Sequence, residues 1–274
     1  MTEKTVLITG CSSGIGRATA ESFLDDGWTV YATSRDEQDI AALGEAGCRT
    51  ATLDVTDEAA VTRVVDRIGE EVGYVDCLVN NAGYGQYGPL EDVSTERLHE
   101  QFDVNVYGPH RLMRAVLPLM RAREDGTIIN VSSVNGRVSA PGTGAYAGSK
   151  FALEAMSDAL RAEVDSLGID VVVVAPGPVD TSFEERATAE VDGLDYRREY
   201  QWVYDAFEDA SLVAGSLPFA STPETVATAI HDAASVDDPE PRYAVGRYAK
   251  LALYSRFLPA RVRDTVFGLV RRVL

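Results

Sequence analysis

A tyrosine and a lysine four residues apart, in Tyr146-Ala-Gly-Ser-Lys150, would share one face of a helix. An ammonium held beside a phenol favours the phenolate and lowers a pKa that starts at about 10, so the pair could exchange a proton near neutral pH. Taken alone, the spacing also describes a solvated surface pair. Ser133 stands thirteen residues before Tyr146 and just after a strand-like run ending at Val131. Its hydroxyl could hold a substrate oxygen or cap a turn. Near the start of the chain, Thr9-Gly10-Cys11-Ser12-Ser13-Gly14-Ile15-Gly16 offers glycines for a tight turn, for backbone approach to a pyrophosphate and for close helix packing. The N-terminus of the helix that follows would face the anion with free N–H groups. A nucleotide enzyme selective for NAD would place Asp or Glu at the end of the next strand, and this chain has Ser34-Arg35. Arg35 can pair bidentately with a 2′-phosphate while Ser13 and Ser34 add hydroxyl donors, so the expected cofactor is NADP(H).

These groups need elements to hold them. Thr5–Thr9 reads as a strand, Gly14–Asp25 as a helix and Trp28–Thr33 as a second strand. Further strands are expected at Arg49–Leu53, Val75–Asn80, Thr127–Val131, Asp170–Ala175 and Arg242–Val245. Helices are expected from Asp57, where Val61, Val64, Val65, Ile68 and Val72 recur at three- and four-residue spacings, over Pro109–Arg121, and over Tyr146–Ser166 with Leu153, Met156, Leu160 and Val164 on one face. Pro118 should kink the second of these or cost it a hydrogen bond. Apolar strands alternating with helices predict an α/β fold, a single doubly wound domain whose parallel sheet is flanked by helices on both faces.

In chain order, TGCSSGIG at Thr9–Gly16, Asp54-Val55, Asn80-Asn81-Ala82-Gly83, Asn105 in Val104-Asn105-Val106, Ser133 in Ser133-Val-Asn-Gly136, Tyr146 with Lys150, and Pro176-Gly177-Pro178-Val179-Asp180-Thr181 resemble the short-chain dehydrogenase/reductase family over essentially the whole chain. The resemblance implies a catalytic tetrad of Asn105, Ser133, Tyr146 and Lys150. Tyr146 would be the general acid for reduction and base for oxidation, with Ser133 holding the substrate oxygen beside it. Lys150 would bind the nicotinamide ribose and lower the Tyr146 pKa, and Asn105 would position a water. The implied cofactor contacts run from Gly10, Ser12, Ser13, Gly14, Ile15 and Gly16 to Asp54 and Val55 at the adenine. They continue with Asn81, Ala82 and Gly83 on the adenosine side and with Pro176, Gly177, Val179 and Thr181 near the nicotinamide carboxamide. Asn80 is expected to tie strands together. The motifs are nearest to 17β-hydroxysteroid and retinol dehydrogenase-like members, and the resemblance also suggests a homo-oligomer.

Composition narrows the choice. The chain has 274 residues, 45% of them hydrophobic, enough for one sizeable core over 1–274. Its formal charge of −18 disfavours nucleic-acid partners. Lys4, Lys150 and Lys250 are the only lysines, and their scarcity beside the acid excess suggests adaptation to high salt. Cys11, Cys48 and Cys77 suit neither a disulfide framework nor a metal site, His99, His110 and His231 lack ligand spacing, and no metal is expected. Apolar runs such as Val171–Pro178 are too short to cross a bilayer, and a cytoplasmic protein is expected. About 181–221 stands outside the βα rhythm and reads as a substrate lid. Its Phe183, Tyr196, Tyr200, Trp202, Tyr204 and Phe207, with Tyr84 and Tyr87, suit an apolar carbonyl or alcohol substrate of steroid, retinoid or lipid-like kind. About half of these aromatics are expected to pack the lid onto the body. The tail 247–274 carries seven basic residues and one acid, with Val262, Val266, Val270 and Val273 at helical spacing. Packing on its own domain or a second subunit is favoured over membrane-surface contact. The expected activity is hydride transfer between NADP(H) and a carbonyl or secondary alcohol; the alternative is an NADP(H)-sensing regulatory protein without turnover.

Overall fold

The computed structural model describes residues 4–214, 220–254 and 257–273. Seven strands form one sheet: β1 (Thr5–Thr9), β2 (Thr29–Ser34), β3 (Arg49–Thr52), β4 (Cys77–Asn80), β5 (Gly126–Val131), β6 (Ile169–Pro176) and β7 (Arg242–Val245). All pair in parallel, in the order β3-β2-β1-β4-β5-β6-β7. The helices are α1 (Gly14–Asp25), α2 (Ala41–Ala46), α3 (Glu58–Glu71), α4 (Thr95–Phe102), α5 (Gly108–Arg123), α6 (Gly144–Val164), α7 (Phe183–Ala189), α8 (Gln201–Ala214), α9 (Pro223–Ser235), α10 (Arg247–Tyr254) and α11 (Ala260–Val273). Strand order reverses between β1 and β4, which opens a crevice at the carboxyl ends of the strands where open α/β sheets bind their ligands.

Every β1 residue is buried because both faces of the sheet are covered. Val6 and Ile8 point into a core shared with Ala20 and Phe23 of α1 and Val226 and Ile230 of α9. Leu7 points the other way, towards Val61, Val64 and Ile68 of α3 and Leu112 and Val116 of α5. The period of two in the strands and of three to four in α3 therefore meet in two cores. Each fully buried aliphatic side chain contributes roughly 1.5–3 kcal/mol.

Predicted element ends shift by a residue or two. Asp57 caps α3 through the Ala59 N–H at 2.8 Å, and α6 starts two residues earlier than predicted, at Gly144, and closes at Val164 before a 3₁₀ turn over Asp165–Leu167. Pro118 lies inside α5. Asn80 donates to Asn130 Oδ1 at 2.8 Å, a tie between β4 and β5.

The segment expected to form the lid follows β6, and the chain is back on the body at α9. A parallel bridge between Val179 and Ser221 closes its base, with Asp180 N donating to the Ser221 carbonyl at 2.9 Å. In the tail, Val262 is 44% exposed, and Tyr254 and Phe257 are more so. The side chains of Val266, Val270 and Val273 lie outside the described residues. No described helix is long and apolar enough to cross a membrane.

Candidate active site

The turn after β1 keeps its shape through glycine. Gly10 has φ +73° and Gly14 φ +55°, and a Cβ on Gly16 would overlap the Gly10 carbonyl oxygen and the Asn81 amide. Ser13 caps α1 in extended backbone without spending its hydroxyl on the cap, and the first turn of α1 carries no acid. Free N–H groups at a helix N-terminus make a cradle for an anion, as a dinucleotide pyrophosphate requires, and the Ser13 hydroxyl beside them accepts from Arg186 at 3.4 Å. The cradle opens onto a cleft of about 910 Å³ that runs to Tyr146. Of the sequence-predicted site residues, all line this cleft except Gly16 and Asn105. Ser34 and Arg35 stand on its wall at the end of β2, where a ribose 2′-substituent would meet them.

Several of these residues also hold the body together. Asn81 Nδ2 donates to the carbonyls of Thr9 at 2.9 Å and Gly10 at 3.1 Å. Thr9 Oγ1 accepts from the N–H groups of Asn81 at 3.1 Å and Ala82 at 3.0 Å. The tips of β1 and β4 are laced together in this way, and sequence reasoning left Thr9 out of the site. Asp54 Oδ1 accepts from the Thr56 N–H at 2.9 Å and hydroxyl at 2.8 Å, fixing the turn after β3.

At the far end of the cleft Ser133 precedes a 3₁₀ turn, Val134–Gly136, and its Oγ accepts from the Asn135 N–H at 3.1 Å. Both its side chain and that of Tyr146 line the same end of the cleft, and the hydroxyl favours the ionised form of the Tyr146 phenol. Tyr146 and Lys150 lie on the same face of α6, both buried, so the solvated-pair reading of their spacing does not hold. Lys150 Nζ donates to the Val131 carbonyl at 2.9 Å and sits 5.8 Å from the Tyr146 ring centroid. Burial pulls the Lys150 pKa down to about 8, opposed by the Glu154 carboxylate one turn on.

The Tyr146 phenol departs from expectation. Its pKa lies above the ordinary value because burial outweighs the opposing influence of the Ser133 hydroxyl, and the Glu184 carboxylate pushes the same way as burial. The expected lowering by Lys150 is absent, since that ammonium addresses the Val131 carbonyl. Asn105 does not line the cleft. It sits buried in a π-helical turn, Asp103–Tyr107, where α4 gives way to α5. Such widenings often mark functional sites. Its amide donates to the Tyr84 carbonyl at 2.9 Å and Ser149 Oγ at 3.1 Å, and its Oδ1 accepts from the Tyr84 N–H at 3.1 Å. Gly83 explains how it still approaches the centre: a Cβ there would lie 3.0 Å from Asn105 Oδ1 and 3.7 Å from Lys150 Nζ.

The wall beyond Tyr146 is aromatic. Tyr87 meets the Tyr146 ring edge-on at 5.8 Å and stacks on Phe207 at 5.4 Å, while Phe183 lies 5.6 Å from Tyr146. Of the six lid aromatics only Phe183 lines the cleft itself. Tyr204 and Arg197 both bond the buried Asp92 carboxylate, Tyr200 bonds Glu91, and Tyr196 packs on Tyr204 at 4.8 Å. Trp202 faces a separate groove. The larger share of these rings is thus taken up in packing the lid onto the loop before α4, because two acids there capture the phenols. Glu184 and Arg186, which also line the cleft, escaped the sequence reading; their one signal was their place just after Thr181.

The remaining candidates are structural. His231 Nε2 lies 3.1 Å from Asp26 Oδ2 and packs on Phe23 and Trp28. The three cysteines are free and buried. Among the described residues no group of three His, Cys, Asp or Glu is placed to hold a metal.

The family model for short chain dehydrogenase matches residues 4–192. The chain is 37% identical over 270 residues, 96% of it and 94% of the relative, to the uncharacterized oxidoreductase YbbO of Escherichia coli K12. It is 38% identical over 262 residues to human retinol dehydrogenase 8, covering 90% of this chain and 83% of that one. Among solved structures, a short-chain dehydrogenase from Streptomyces avermitilis superposes with a TM-score of 0.84 at 33% identity, covering 99% of this chain and 98% of the other.

Proposed function

Because the chain belongs to the short-chain dehydrogenase/reductase family, an oxidoreductase family that binds NAD(P), we propose that it transfers hydride between NADP(H) and the carbonyl or secondary alcohol of an apolar substrate. One observation carries this reading: a single cleft joins an anion cradle at the β1–α1 turn to a buried Ser133–Tyr146–Lys150 cluster.

The nicotinamide cofactor, when bound, supplies or accepts the hydride. The protein's part is to hold and protonate the oxygen. Ser133 fixes the carbonyl oxygen and Tyr146 gives it a proton. A phenol kept protonated by burial suits the reductive direction. Lys150 supports the phenolate left behind and offers donors to the ribose. Asn105 braces the Tyr84 backbone that forms one side of the pocket. The regulatory reading gains nothing from a geometry that keeps the proton donor and its partners together.

NADP(H) is favoured by Ser34 and Arg35 on the cleft wall, where no carboxylate is placed to accept from a ribose 2′-hydroxyl. An apolar substrate is favoured by Tyr84, Tyr87, Phe183 and Val134 at the reacting end; the human relative's name supplies retinol, an apolar alcohol. Steady-state kinetics with both cofactors and a ketone series of rising apolar size test both parts. The expected result is higher kcat/KM with NADPH and with bulkier ketones, and a shift of at least about tenfold towards NADH in Ser34→Asp. Preference for NADH in the wild type would overturn the cofactor assignment, and preference for small polar ketones would overturn the substrate class.

A further inference from the structure

Five carboxylates reach the cleft besides any a ligand brings, and four are accounted for. Asp54 is engaged by Thr56, Asp103 pairs with Arg111 at 2.7 Å, Glu190 pairs with Arg97 at 3.2 Å, and Glu100 is open to solvent. Glu184 is different. It is half-buried at the start of α7 and lines the cleft together with Tyr87, whose phenol its charge pushes up, and no cationic side chain of the described residues pairs with it. The same cleft is lined by the rings of Phe183, its neighbour in α7, and Tyr87, with Phe207 stacked on Tyr87. Burial lifts its carboxyl above the ordinary range, and its charge is felt by the Tyr146 phenol.

A half-buried carboxylate without a cation is costly unless something pairs with it. One rimmed by aromatic faces has the two components of an ammonium receptor, charge-assisted hydrogen bonds and cation–π attraction. Phe183, the residue before Glu184 in α7, lies 5.6 Å from the Tyr146 ring and both line the cleft, which places that ammonium close to the carbonyl whose oxygen Tyr146 protonates. We infer that Glu184 recognises a protonated amine carried beside the reacting carbonyl, so that the preferred substrate is an apolar amino ketone or the corresponding amino alcohol. This rests on the oxidoreductase reading for its chemistry but not for its binding. An ammonium between Glu184 and Tyr146 would also offset the charge that now hinders ionisation of the phenol.

The test uses two matched ligand pairs on the full chain with NADP+ present: a long-chain 2-amino alcohol against the same alcohol without the amine, and the two ketones they correspond to. Calorimetry should show the wild type binding the amino alcohol about 30-fold more tightly than the plain alcohol. Glu184→Gln should shrink that ratio below about threefold, and the ratio of kcat/KM for the two ketones should shrink in parallel. Tyr87→Phe, which removes the hydroxyl but leaves the carboxylate and a ring, should keep the ratio above about tenfold. A wild-type ratio near one overturns the inference. So does a Glu184→Gln variant that weakens both ligands alike and leaves the ratio intact, which is what a merely structural Glu184 would give. Should neither ketone be reduced, the hydride-transfer reading falls, and the binding ratio still decides the role of Glu184.

Discussion

The two ends of the cleft are built by different means. At the anion cradle the chain uses backbone: glycine φ values, helix N–H groups, and Thr9 and Asn81 lacing two strand tips through main-chain atoms. The contacts that matter there are short in space and dictated by residue type, so a one-residue change is felt as overlap. At the lid the chain uses side chains from distant parts of the sequence. Asp92 takes Arg197 and Tyr204, Glu91 takes Tyr200, and Arg97 reaches Glu190. A phosphate-binding turn must present the same atoms whatever the substrate, whereas a lid held by a few polar clasps can change its lining without disturbing the sheet. The Ser133–Tyr146–Lys150 cluster lies between the two, on α6 and just after the end of β5.

Gly16→Ala should break the rigid end most severely. The added methyl overlaps the Gly10 carbonyl and the Asn81 side-chain amide that is itself bonded to the Thr9 and Gly10 carbonyls, at a cost of about 3 kcal/mol. Thermal melting should fall by roughly 6–12 °C, with NADPH affinity lost in titration. Asp92→Ala should leave the cradle alone and loosen the lid. It strands Arg197 and Tyr204 at a locus where the carboxylate is fully buried, a local cost of about 2 kcal/mol. Limited proteolysis should then cut faster within 181–207 and KM for a bulky ketone should rise about tenfold, while the NADPH Kd moves less than about twofold. Equal effects on cofactor and ketone would erase the contrast between the two ends. The smallest effect is global. With a formal charge of −18, self-repulsion is screened by salt, whose Debye length is roughly 10 Å at 0.1 M. The melting midpoint should rise by a few degrees from low to molar KCl, and a flat or falling midpoint would remove the salt-adaptation reading.

The same contrast decides what could be read without a structure. The cradle, the seven strands and the α6 face carrying Tyr146 and Lys150 were legible because each is set by local pattern: glycine spacing, buried apolar runs, and a four-residue interval on a helix. The lid clasps were not, because Asp92 and Arg197 meet across 105 positions and neither has a local signature. The Tyr146 pKa was misjudged for a related reason. Spacing showed an ammonium near the phenol, but only the packed structure shows that Lys150 Nζ addresses the Val131 carbonyl and that burial dominates the phenol. Asn105 was found as a residue but not as a location, since the widened turn that takes it behind the cleft leaves no mark in hydrophobic periodicity. Glu184 was passed over because an acid in an acidic segment looks like solvated surface until its neighbours are seen.

The central claim is that Tyr146, buried between Ser133 and Lys150, is the proton donor on a cofactor cleft that does not depend on it. Tyr146→Phe removes one hydroxyl and keeps the ring against Tyr87 and Phe183. Measured side by side with the wild type, kcat for a bulky apolar ketone should fall by about a thousandfold or more while the NADPH Kd stays within about twofold. A Phe variant that retains about half of the wild-type kcat would contradict the account.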